Sequence, residues 1–365
     1  MASVGVAILG ASGLVSQRMQ QRIAMHPWFE LVAVAGQSGG TLLSDFDWHL
    51  DEPRPQSIEE SELRIIDIHS EQLTNTLLKE NVQLAFSALP SQPALEIEKR
   101  LVEAGIHVFS NASAYRMHPN VPLIVADVNP EALIGPSDGA ALHACATNCT
   151  LIPVLHPLFL LTQQHAIEKV VVRSEQALSG AGWKLLLDEE LRSKAVGNEI
   201  EGEAEKIVEE AEKILRVEGI EWDVQCERVD ERDGHIVNVE VHVANSPTYE
   251  EIDELLSNGY SEHLLQLPSQ PEIPMVVVQS EPTRQAFLWN GQTMESIDPS
   301  SDLKAGMTTT VQLIDVVDGR ISFRALSHNT IRGAAGGVLL LAELAYQNNL
   351  IPSVDINPPS SSKVS

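Results

Sequence analysis

Near its start the sequence reads Val4-Gly5-Val6-Ala7-Ile8-Leu9-Gly10-Ala11-Ser12-Gly13-Leu14-Val15-Ser16, and residues 17–25 continue with a helix-compatible composition. The continuous apolar run at residues 4–9 is typical of a strand buried on both faces of a parallel sheet. Gly10 permits a tight turn, Gly13 lets the backbone approach a pyrophosphate, and the helix start offers free N–H groups to that anion. Ser16 occupies the third glycine position, so the fingerprint is incomplete. Its strand–turn–helix context still favours dinucleotide binding over a purely structural turn.

The loop after the second predicted strand bears on the choice of cofactor. Residues 31–35 form this apolar strand, and Gly36-Gln37-Ser38-Gly39-Gly40 follows it. A protein selective for NAD usually carries Asp or Glu here to hold the ribose 2′-hydroxyl group, and this loop has neither. Ser38 and the neighbouring amides would accept a 2′-phosphate without repulsion, which favours NADP, although no Arg or Lys of the loop supports it. The alternative is a flexible loop with no role in binding.

Strands and helices alternate through the rest of the first half. Residues 82–88 and 107–110 have the pattern of strands, and residues 94–104 have that of a helix that Gly105 ends. This alternation predicts a doubly wound α/β sheet of the Rossmann type. Arg116 lies in the loop after the strand at 107–110, where ligands gather in such sheets, and is a candidate for binding an anion. A solvated surface arginine is the default for such a position.

The stretch Ala146-Thr147-Asn148-Cys149-Thr150 precedes a long apolar run at residues 151–161 that has helical spacing. Cys149 is therefore expected where a loop enters a helix. The partial positive charge of a helix N-terminus favours a thiolate, so Cys149 is a candidate nucleophile. The alternative is a small, buried hydrophobic residue.

Two alternating segments in the second half, residues 224–229 and 235–241, are predicted to be strands. The turn-forming residues between them predict that these strands pair as a hairpin. Such a hairpin would bring Arg228 and His235 together as an anion-binding group beside a proton shuttle. A purely structural histidine is the alternative.

Other segments of the second half carry weaker signals. Gln176 precedes the turn Ser179-Gly180-Ala181-Gly182, where backbone can approach a ligand and a side-chain amide can orient a carboxylate, although a plain loop fits equally well. Residues 200–215 predict a charged helix with Glu210 and Lys213 on one face, a pattern that by itself indicates solvated charges. Glycines and alanines after Arg332 lead into a helix that we expect to pack against the first domain.

The length of the chain limits how many domains these elements can form. The 365 residues suffice for two domains, each with its own core. We expect an N-terminal doubly wound Rossmann-type domain, then an α+β catalytic and dimerisation domain, and a C-terminal helix that packs back on the first domain. The predicted bounds are 1–148 for the NADP-binding domain, 149–330 for the catalytic and oligomerisation domain, 331–350 for the returning helix and 351–365 for a disordered tail.

The net charge of −27 repels nucleic acid and anionic membranes, so neither is an expected partner. Three cysteines argue against a disulfide framework, and the spacing of His143, Cys145 and Cys149 matches no standard zinc site, so no metal is expected. The sequence shows neither a signal peptide nor an apolar stretch of about 18 residues. We therefore expect a cytoplasmic protein.

Taken together, the motifs resemble those of the aspartate-β-semialdehyde dehydrogenases of the archaeal and fungal type, over nearly the whole chain. The order and spacing of the matching pieces make the resemblance specific. These pieces are Gly10-Ala11-Ser12-Gly13, Ser110-Asn111-Ala112 with Tyr115-Arg116, Asn148-Cys149-Thr150, Gln176 with residues 179–182, Cys226-x-Arg228-Val229 with Gly234-His235, and residues 328–336.

The resemblance implies NADP-dependent reductive dephosphorylation of L-aspartyl-4-phosphate to L-aspartate-4-semialdehyde through a thioester. Cys149 would be the nucleophile and His235 the acid/base. Among the substrate-binding residues, Arg228 would pair with the α-carboxylate, Glu210 with the amino group, Gln176 would orient the acyl group, and Arg116 and Lys213 would hold phosphate, with Asn148 beside them. The expected cofactor contacts are Gly10, Ser12, Gly13, Leu14, Val15, Ser38, Ser179, Gly180 and, near the nicotinamide, Asn329.

Some features depart from this family, and two alternatives stay open. Ser16 replaces a glycine, the loop at residues 36–40 lacks a basic residue, and Trp183-Lys184 stands where relatives often carry Tyr-Pro. Malonyl-CoA reductases resemble this family in fold and motifs and are the first alternative, although Asn148 favours the semialdehyde enzyme. A nucleotide-sensing protein without chemistry is the other alternative. The family also implies a homodimer or homotetramer that acts on a small-molecule substrate.

Overall fold

A computed structural model describes residues 3–136, 139–260, 265–289 and 297–351. The first half alternates strands and helices, as its hydrophobic pattern predicts. Its elements are β1 (Val4–Leu9), α1 (Leu14–Ile23), β2 (Phe29–Gly36), α2 (Gln56–Glu59), β3 (Ile66–Asp67), α3 (Leu73–Lys79), β4 (Leu84–Ser87), α4 (Ser91–Glu103), β5 (His107–Ser110) and β6 (His143–Cys145).

These strands form one parallel sheet in the order β3-β2-β1-β4-β5-β6. The order reverses between β1 and β4, and ligands of doubly wound sheets bind at the carboxyl ends of the strands at this point. The Rossmann-type fold class expected for the first half is confirmed. The glycine turn after β1 therefore lies in the crevice where a dinucleotide binds.

The second half contains the remaining elements. They are α5 (Ile152–Gln164), β7 (Ile167–Gln176), α6 (Trp183–Leu187), α7 (Glu189–Ala195), α8 (Glu203–Leu215), β8 (Glu221–Arg228), β9 (His235–Val243), α9 (Tyr249–Asn258), β10 (Met275–Val277), α10 (Arg284–Phe287), β11 (Thr309–Val317), β12 (Arg320–Ser327), a π-helical turn (Ile331–Ala335) and α11 (Gly336–Gln347).

The second sheet is mixed, with the order β10-β11-β12-β9-β7-β8. The expected hairpin of β8 and β9 is wrong, because β7 lies between them, parallel to β8 and antiparallel to β9. Alternation of apolar and polar residues identifies a strand but not its partner. Nevertheless, the carboxyl ends of β7 and β8 lie beside the start of β9 at one end of the sheet. There Gln176 pairs in register with Arg228.

Helices α5 and α11 each pack against one of the two sheets. Helix α5 packs under the second sheet, where Leu155 and Leu158 join Val172 and Val239 in one apolar cluster. Helix α11 returns to the first sheet, where its residues 338–342 share a cluster with β1, β4 and β5. This confirms the expected packing of the last helix. Within the described residues, no helix has both the length and the apolar character needed to cross a bilayer.

The disordered tail was predicted to begin at Ile351, but this residue is buried in the core; residues 352–365 lie outside the described residues.

Candidate active site

Cys149 lies in a short turn that leads from β6 into α5. The backbone N–H of Thr150 donates to Asn148 Oδ1 at 2.7 Å, and the N–H of Leu151 donates to Asn148 O at 3.1 Å. The helix begins only at Ile152, so Cys149 precedes it rather than opening it. The thiolate expected from the helix N-terminus is not favoured in the ligand-free protein, because burial, and then the charge of Glu203, raises the pKa of Cys149 to about 11.

His235 is the nearest titratable partner of this thiol. Its Nε2 lies 3.3 Å from Cys149 Sγ, and its Nδ1 accepts the backbone N–H of Ala177 at 3.1 Å. Since Nδ1 is an acceptor, the neutral ring carries its proton on Nε2, facing the sulfur. Burial, with Arg228 and Arg284 nearby, holds the pKa of His235 well below its usual range. The pair is therefore a thiol and a neutral imidazole rather than an ion pair.

Gln176, Gly180 and Arg228 surround this pair at the edge of the second sheet. Arg228 is largely buried, and its Nη1 donates to Ala177 O at 2.7 Å. A Cβ on Gly180 would lie 3.2 Å from Arg228 Nη1 and from His235 Nε2, so the absence of a side chain there lets the backbone lie against both groups. A guanidinium with donors to spare thus faces the same space as the thiol and the imidazole.

Glu210 and Lys213 hold the loops around the cysteine. Glu210 is buried and accepts hydrogen bonds from Arg116 Nη1 at 2.9 Å, Thr147 Oγ1 at 2.8 Å and Asn148 N at 2.7 Å. Lys213 Nζ donates to three backbone oxygens, those of Arg116, His118 and Val121. Both charges are therefore engaged within the protein, which does not suit the ligand contacts expected of them.

Two residues one heptad earlier on α8 were missed by the sequence-based reasoning. Glu203 Oε1 accepts from Asn148 Nδ2 at 2.8 Å and from Gln176 Nε2 at 3.4 Å, beside the cysteine. Lys206 lies 3.5 Å from Glu203 Oε2, and its side chain is 47% exposed. Both pairs have the spacing Glu-x-x-Lys and lie two turns apart on the same helix. The spacing alone gives no basis for choosing between them.

Arg116 is brought to the site by the turn at Ser113–Tyr115 after β5. Its Nη2 donates to Asn111 O at 2.7 Å, and in the described part of the structure its Nε is buried without a hydrogen-bond partner. A buried donor that lacks a partner costs free energy unless a ligand or water satisfies it. Arg116 therefore fits an anion-binding role.

The glycine turn of the first sheet has the features of a pyrophosphate site. Gly10 has a φ of 104°, and a Cβ on Gly13 would meet only Gly10 O at 3.7 Å. The first helical hydrogen bond of α1 runs from Gln17 N to Gly13 O, which leaves the preceding N–H groups, including those of Leu14 and Val15, for an anion. Ser16, at the third glycine position, donates its hydroxyl to Gly10 O at 2.6 Å and so closes the turn.

The segment after β12 links the two sides of the site. Asn329 Oδ1 accepts from Gly234 N at 2.8 Å, and its Nδ2 donates to Ser179 Oγ at 2.7 Å. These two bonds tie the strand that carries His235 to the turn that carries Gly180. Asn329 and Ser179 thus lie together next to the catalytic pair, as a shared role near a nicotinamide would require.

A π-helical turn packs directly against the cysteine. A Cβ on Gly333 would lie 2.5 Å from Cys149 Cβ. Arg332 anchors this turn through a buried ion pair with Asp127, and His156 lies 3.4 Å from the same carboxylate. Although burial acts to raise it, Arg332 and His156 hold the pKa of Asp127 far below its usual range. The backbone behind the thiol is therefore fixed by a network of buried charges.

Similarity to known proteins agrees with this geometry. Residues 5–135 match the family described as semialdehyde dehydrogenase, NAD binding domain. The aspartate-semialdehyde dehydrogenase of Archaeoglobus fulgidus is 32% identical over 369 residues, covering 95% of this chain and 99% of the relative. The chain belongs to the aspartate-semialdehyde dehydrogenase family.

Other members extend the comparison. The aspartate-semialdehyde dehydrogenase of Aspergillus fumigatus is 32% identical over 93% of this chain and 96% of the relative. The malonyl CoA reductase (NADP) of Metallosphaera sedula is 28% identical over 94% of this chain and 97% of the relative. A crystal structure of aspartate semialdehyde dehydrogenase with NADP from Candida albicans has a TM-score of 0.76 at 26% identity, covering 96% of this chain and 100% of that one. The expected family is confirmed.

Within the described residues, no group of three or more His, Cys, Asp and Glu side chains is arranged to hold a metal ion.

Proposed function

We propose that the chain catalyses the NADP-dependent reductive dephosphorylation of L-aspartyl-4-phosphate to L-aspartate-4-semialdehyde through a thioester on Cys149. The observation that carries the proposal is the pair of Cys149 Sγ and His235 Nε2 at 3.3 Å, with Arg228 on one side and Glu203 on the other. Family membership supplies the reaction type, and the charges around the thiol support the amino-acid substrate.

The charges at the site match those of the substrate one by one. Arg228 pairs with the α-carboxylate, since a guanidinium suits a planar anion. Glu203, rather than Glu210, pairs with the α-ammonium. Both oxygens of Glu210 accept hydrogen bonds, whereas the two hydrogen bonds to Glu203 both go to Oε1 and leave Oε2 with the half-exposed Lys206 alone. Arg116, with its unpaired Nε, and the half-exposed Lys206, rather than Lys213, receive the phosphate.

Chemistry begins when the sulfur of Cys149 attacks the acyl carbon, so that a C–S bond forms and the C–O bond to phosphate breaks, and the proton of the thiol leaves with the phosphate. A thioester is electrophilic enough to accept a hydride, whereas a carboxylate is not. Bound NADPH supplies this hydride. The Nε2–H of His235 donates a hydrogen bond to the oxyanion that hydride addition creates. When the C–S bond breaks, the oxyanion becomes the carbonyl of the aldehyde, and the departing thiolate takes a proton from solvent to regenerate the thiol.

The cofactor fits the residues of this chain. The turn at Gly10 and Gly13 offers space and N–H groups to a pyrophosphate, while Asn329, Ser179 and Gly180 hold the side of the site next to the thiol. Ser12 lies within the same turn as the glycines. We propose that all the cofactor contacts expected from the sequence, including Ser38, bind NADP.

An assay with paired substrates tests the function. The purified full chain is expected to oxidise NADPH with aspartyl phosphate and, in reverse, to reduce NADP with the semialdehyde and inorganic phosphate. Malonyl-CoA in the same assay is the alternative substrate; it has no ammonium group to pair with Glu203. Turnover with malonyl-CoA and none with aspartyl phosphate would overturn the proposal in favour of a malonyl-CoA reductase.

Two broader expectations also remain proposals that follow from the family. We propose that the enzyme is a homodimer or homotetramer, which light scattering on the purified chain measures. We also propose that it acts in the cytoplasm. A third proposal, which does not depend on the family, is that the boundary between the two domains lies between residues 148 and 149, in the turn between β6 and α5.

Replacing Arg228 with lysine is expected to raise the KM for aspartyl phosphate roughly tenfold or more, with a smaller effect on kcat, because a two-pronged donor becomes a point charge. Steady-state kinetics at saturating NADPH measures both constants. The matched control is Arg192→Lys on α7, where the side chain makes only exposed ion pairs. An unchanged KM in Arg228→Lys would remove this residue from substrate binding.

The alkylation rate of Cys149 by iodoacetamide is expected to keep rising with pH towards about 11, because burial raises the pKa of the thiol and only the thiolate reacts. Since the Glu203 carboxylate also raises this pKa, Glu203→Gln should react roughly threefold to tenfold faster at one mildly alkaline pH. Mass spectrometry of the labelled peptide measures the rate.

The control for this prediction is Glu205→Gln, which removes an exposed charge from the same helix. Its alkylation rate should equal that of the unmodified protein. A plateau already reached near neutral pH would mean that the thiol is ionised in the free enzyme, contrary to the geometry described here.

A further inference from the structure

The loop after β2 lacks a basic residue, but the fold brings one to it from the strand that follows. Arg64 precedes β3, and its Nη1 donates to Gly40 O at 2.8 Å. Two backbone bonds hold the loop and the strand together, from Gly40 N to Ile65 O at 2.7 Å and from Ile65 N to Thr41 O at 2.9 Å. The guanidinium is thus fixed at the end of the loop at residues 36–40.

We propose that Arg64 is the residue that recognises the 2′-phosphate of NADP and so selects NADP over NAD. This inference rests on the proposed cofactor site. The adenosine end of a dinucleotide lies at the loop after the second strand of such a sheet, where a cation in place of an acidic residue favours the 2′-phosphate. Arg64 supplies that cation from outside the loop.

The contacts of Arg64 leave it available for this role. Of the five N–H donors of a guanidinium, the bond to Gly40 uses one. Within the described residues, no carboxylate lies within ion-pair distance of Arg64, and its side chain is exposed. An arginine of this kind pairs readily with a phosphate dianion.

An acidic residue beside the loop, Asp67, lies on the other side of the strand. Asp67, at the end of β3, is packed against Gly39, where a Cβ would lie 2.7 Å from Asp67 Cβ. Residues 64 and 67 are separated by an odd number of positions, so in an extended segment their side chains point to opposite faces. Ser38 contributes a hydroxyl group from the loop itself. Arg64 therefore supplies the positive charge of the proposed site, at the end of the loop that carries Ser38.

Calorimetric titration of the full chain tests the proposal without turnover. The probes are adenosine 2′,5′-bisphosphate and 5′-AMP, which differ only in the 2′-phosphate. The unmodified protein should bind the bisphosphate more tightly. Arg64→Gln is expected to weaken bisphosphate binding roughly tenfold to a hundredfold, because a charge-assisted hydrogen bond is lost, and to leave 5′-AMP binding nearly unchanged.

Two further variants separate recognition from loop support. Arg64→Lys keeps the charge and should retain part of the preference for the bisphosphate. Arg100→Gln is the matched control, because Arg100 also donates to a backbone oxygen of the first domain, that of Ser70 at 3.2 Å, and should change neither affinity.

Three results would overturn the proposal. One is an equal loss of affinity for both probes in Arg64→Gln, which would show that the residue only supports the loop. The second is an unchanged bisphosphate affinity in that variant. The third is an unmodified protein that does not prefer the bisphosphate, and this would leave the proposed reaction intact with NAD as its cofactor. Failure of NADPH oxidation with tight bisphosphate binding would instead contradict the proposed function alone.

Discussion

Replacing Cys149 with alanine should abolish turnover of aspartyl phosphate, with a loss of about 10⁴-fold or more in kcat, because the variant lacks the thiol that would carry the acyl chain. Cofactor binding should be unchanged, since the glycine turn of β1 and the contacts of Asn329 do not involve the sulfur. Stopped-flow measurement of NADPH oxidation and titration with NADP measure the two effects.

The control for this variant is another cysteine of the same chain. Cys145 is buried four residues earlier, on β6, and burial raises the pKa of its thiol strongly. Cys145→Ala should therefore keep most of the activity. Substantial turnover in Cys149→Ala would remove the thioester from the mechanism, whatever the outcome for Cys145.

Replacing Gly333 with alanine should lower kcat about 10²-fold or more without any change in a catalytic side chain. The new Cβ would lie 2.5 Å from Cys149 Cβ and 2.8 Å from Cys149 Cα, so the cysteine backbone must move. A displacement of this size misplaces the nucleophile relative to His235, and misplacement by about 1 Å can cost this much in rate. Kinetics and thermal unfolding of the same sample measure the effect.

An equally crowded glycine away from the site provides the control. A Cβ on Gly259 would lie 2.6 Å from Leu160 near the far end of α5, so Gly259→Ala also overpacks the core. It should lower the free energy of unfolding by about 1–3 kcal/mol, as should Gly333→Ala, but leave kcat close to normal. Equal kcat values in the two variants would show that Gly333 has no particular role in placing the thiol.

The four central strands of the first sheet could be predicted because local signals determine them, whereas the short outer strands β3 and β6 were not predicted. An apolar run, a glycine turn and a helix start at residues 4–16 are enough to predict a buried parallel strand and a phosphate-binding turn. The glycine motif is matched only in part, because its third position is not a glycine. Ser16 fills that position and satisfies its hydroxyl on Gly10 O, a compensation that depends on three-dimensional distance and is not visible in the pattern.

The second sheet could be predicted only strand by strand. Residues 224–229 and 235–241 are strands as expected, yet their common neighbour is β7, which lies about 50 residues earlier in the sequence than β8. Pairing between strands distant in sequence depends on tertiary packing rather than on local propensity. Arg228 and His235 still meet, because both lie at the same edge of that sheet.

The chemical details of the site depended on burial, which the sequence does not report. The same cysteine that a helix N-terminus would ionise is kept as a thiol by its buried position. Likewise, Glu203 and Glu210 share a spacing and a helix, but only the contacts of each carboxylate distinguish the one beside the cysteine from the one that supports its loop.

The last helix completes the hydrophobic core of the first domain. Helix α11 covers the face of the sheet built by the first 145 residues, and it is connected through Gly333 to the backbone behind Cys149. A fragment that stopped before α5 would expose a broad apolar surface to water and would be prone to aggregate. The nucleotide-binding half is thus completed only after residues 336–347 have been synthesised, and its maturation is tied to that of the half that carries the thiol.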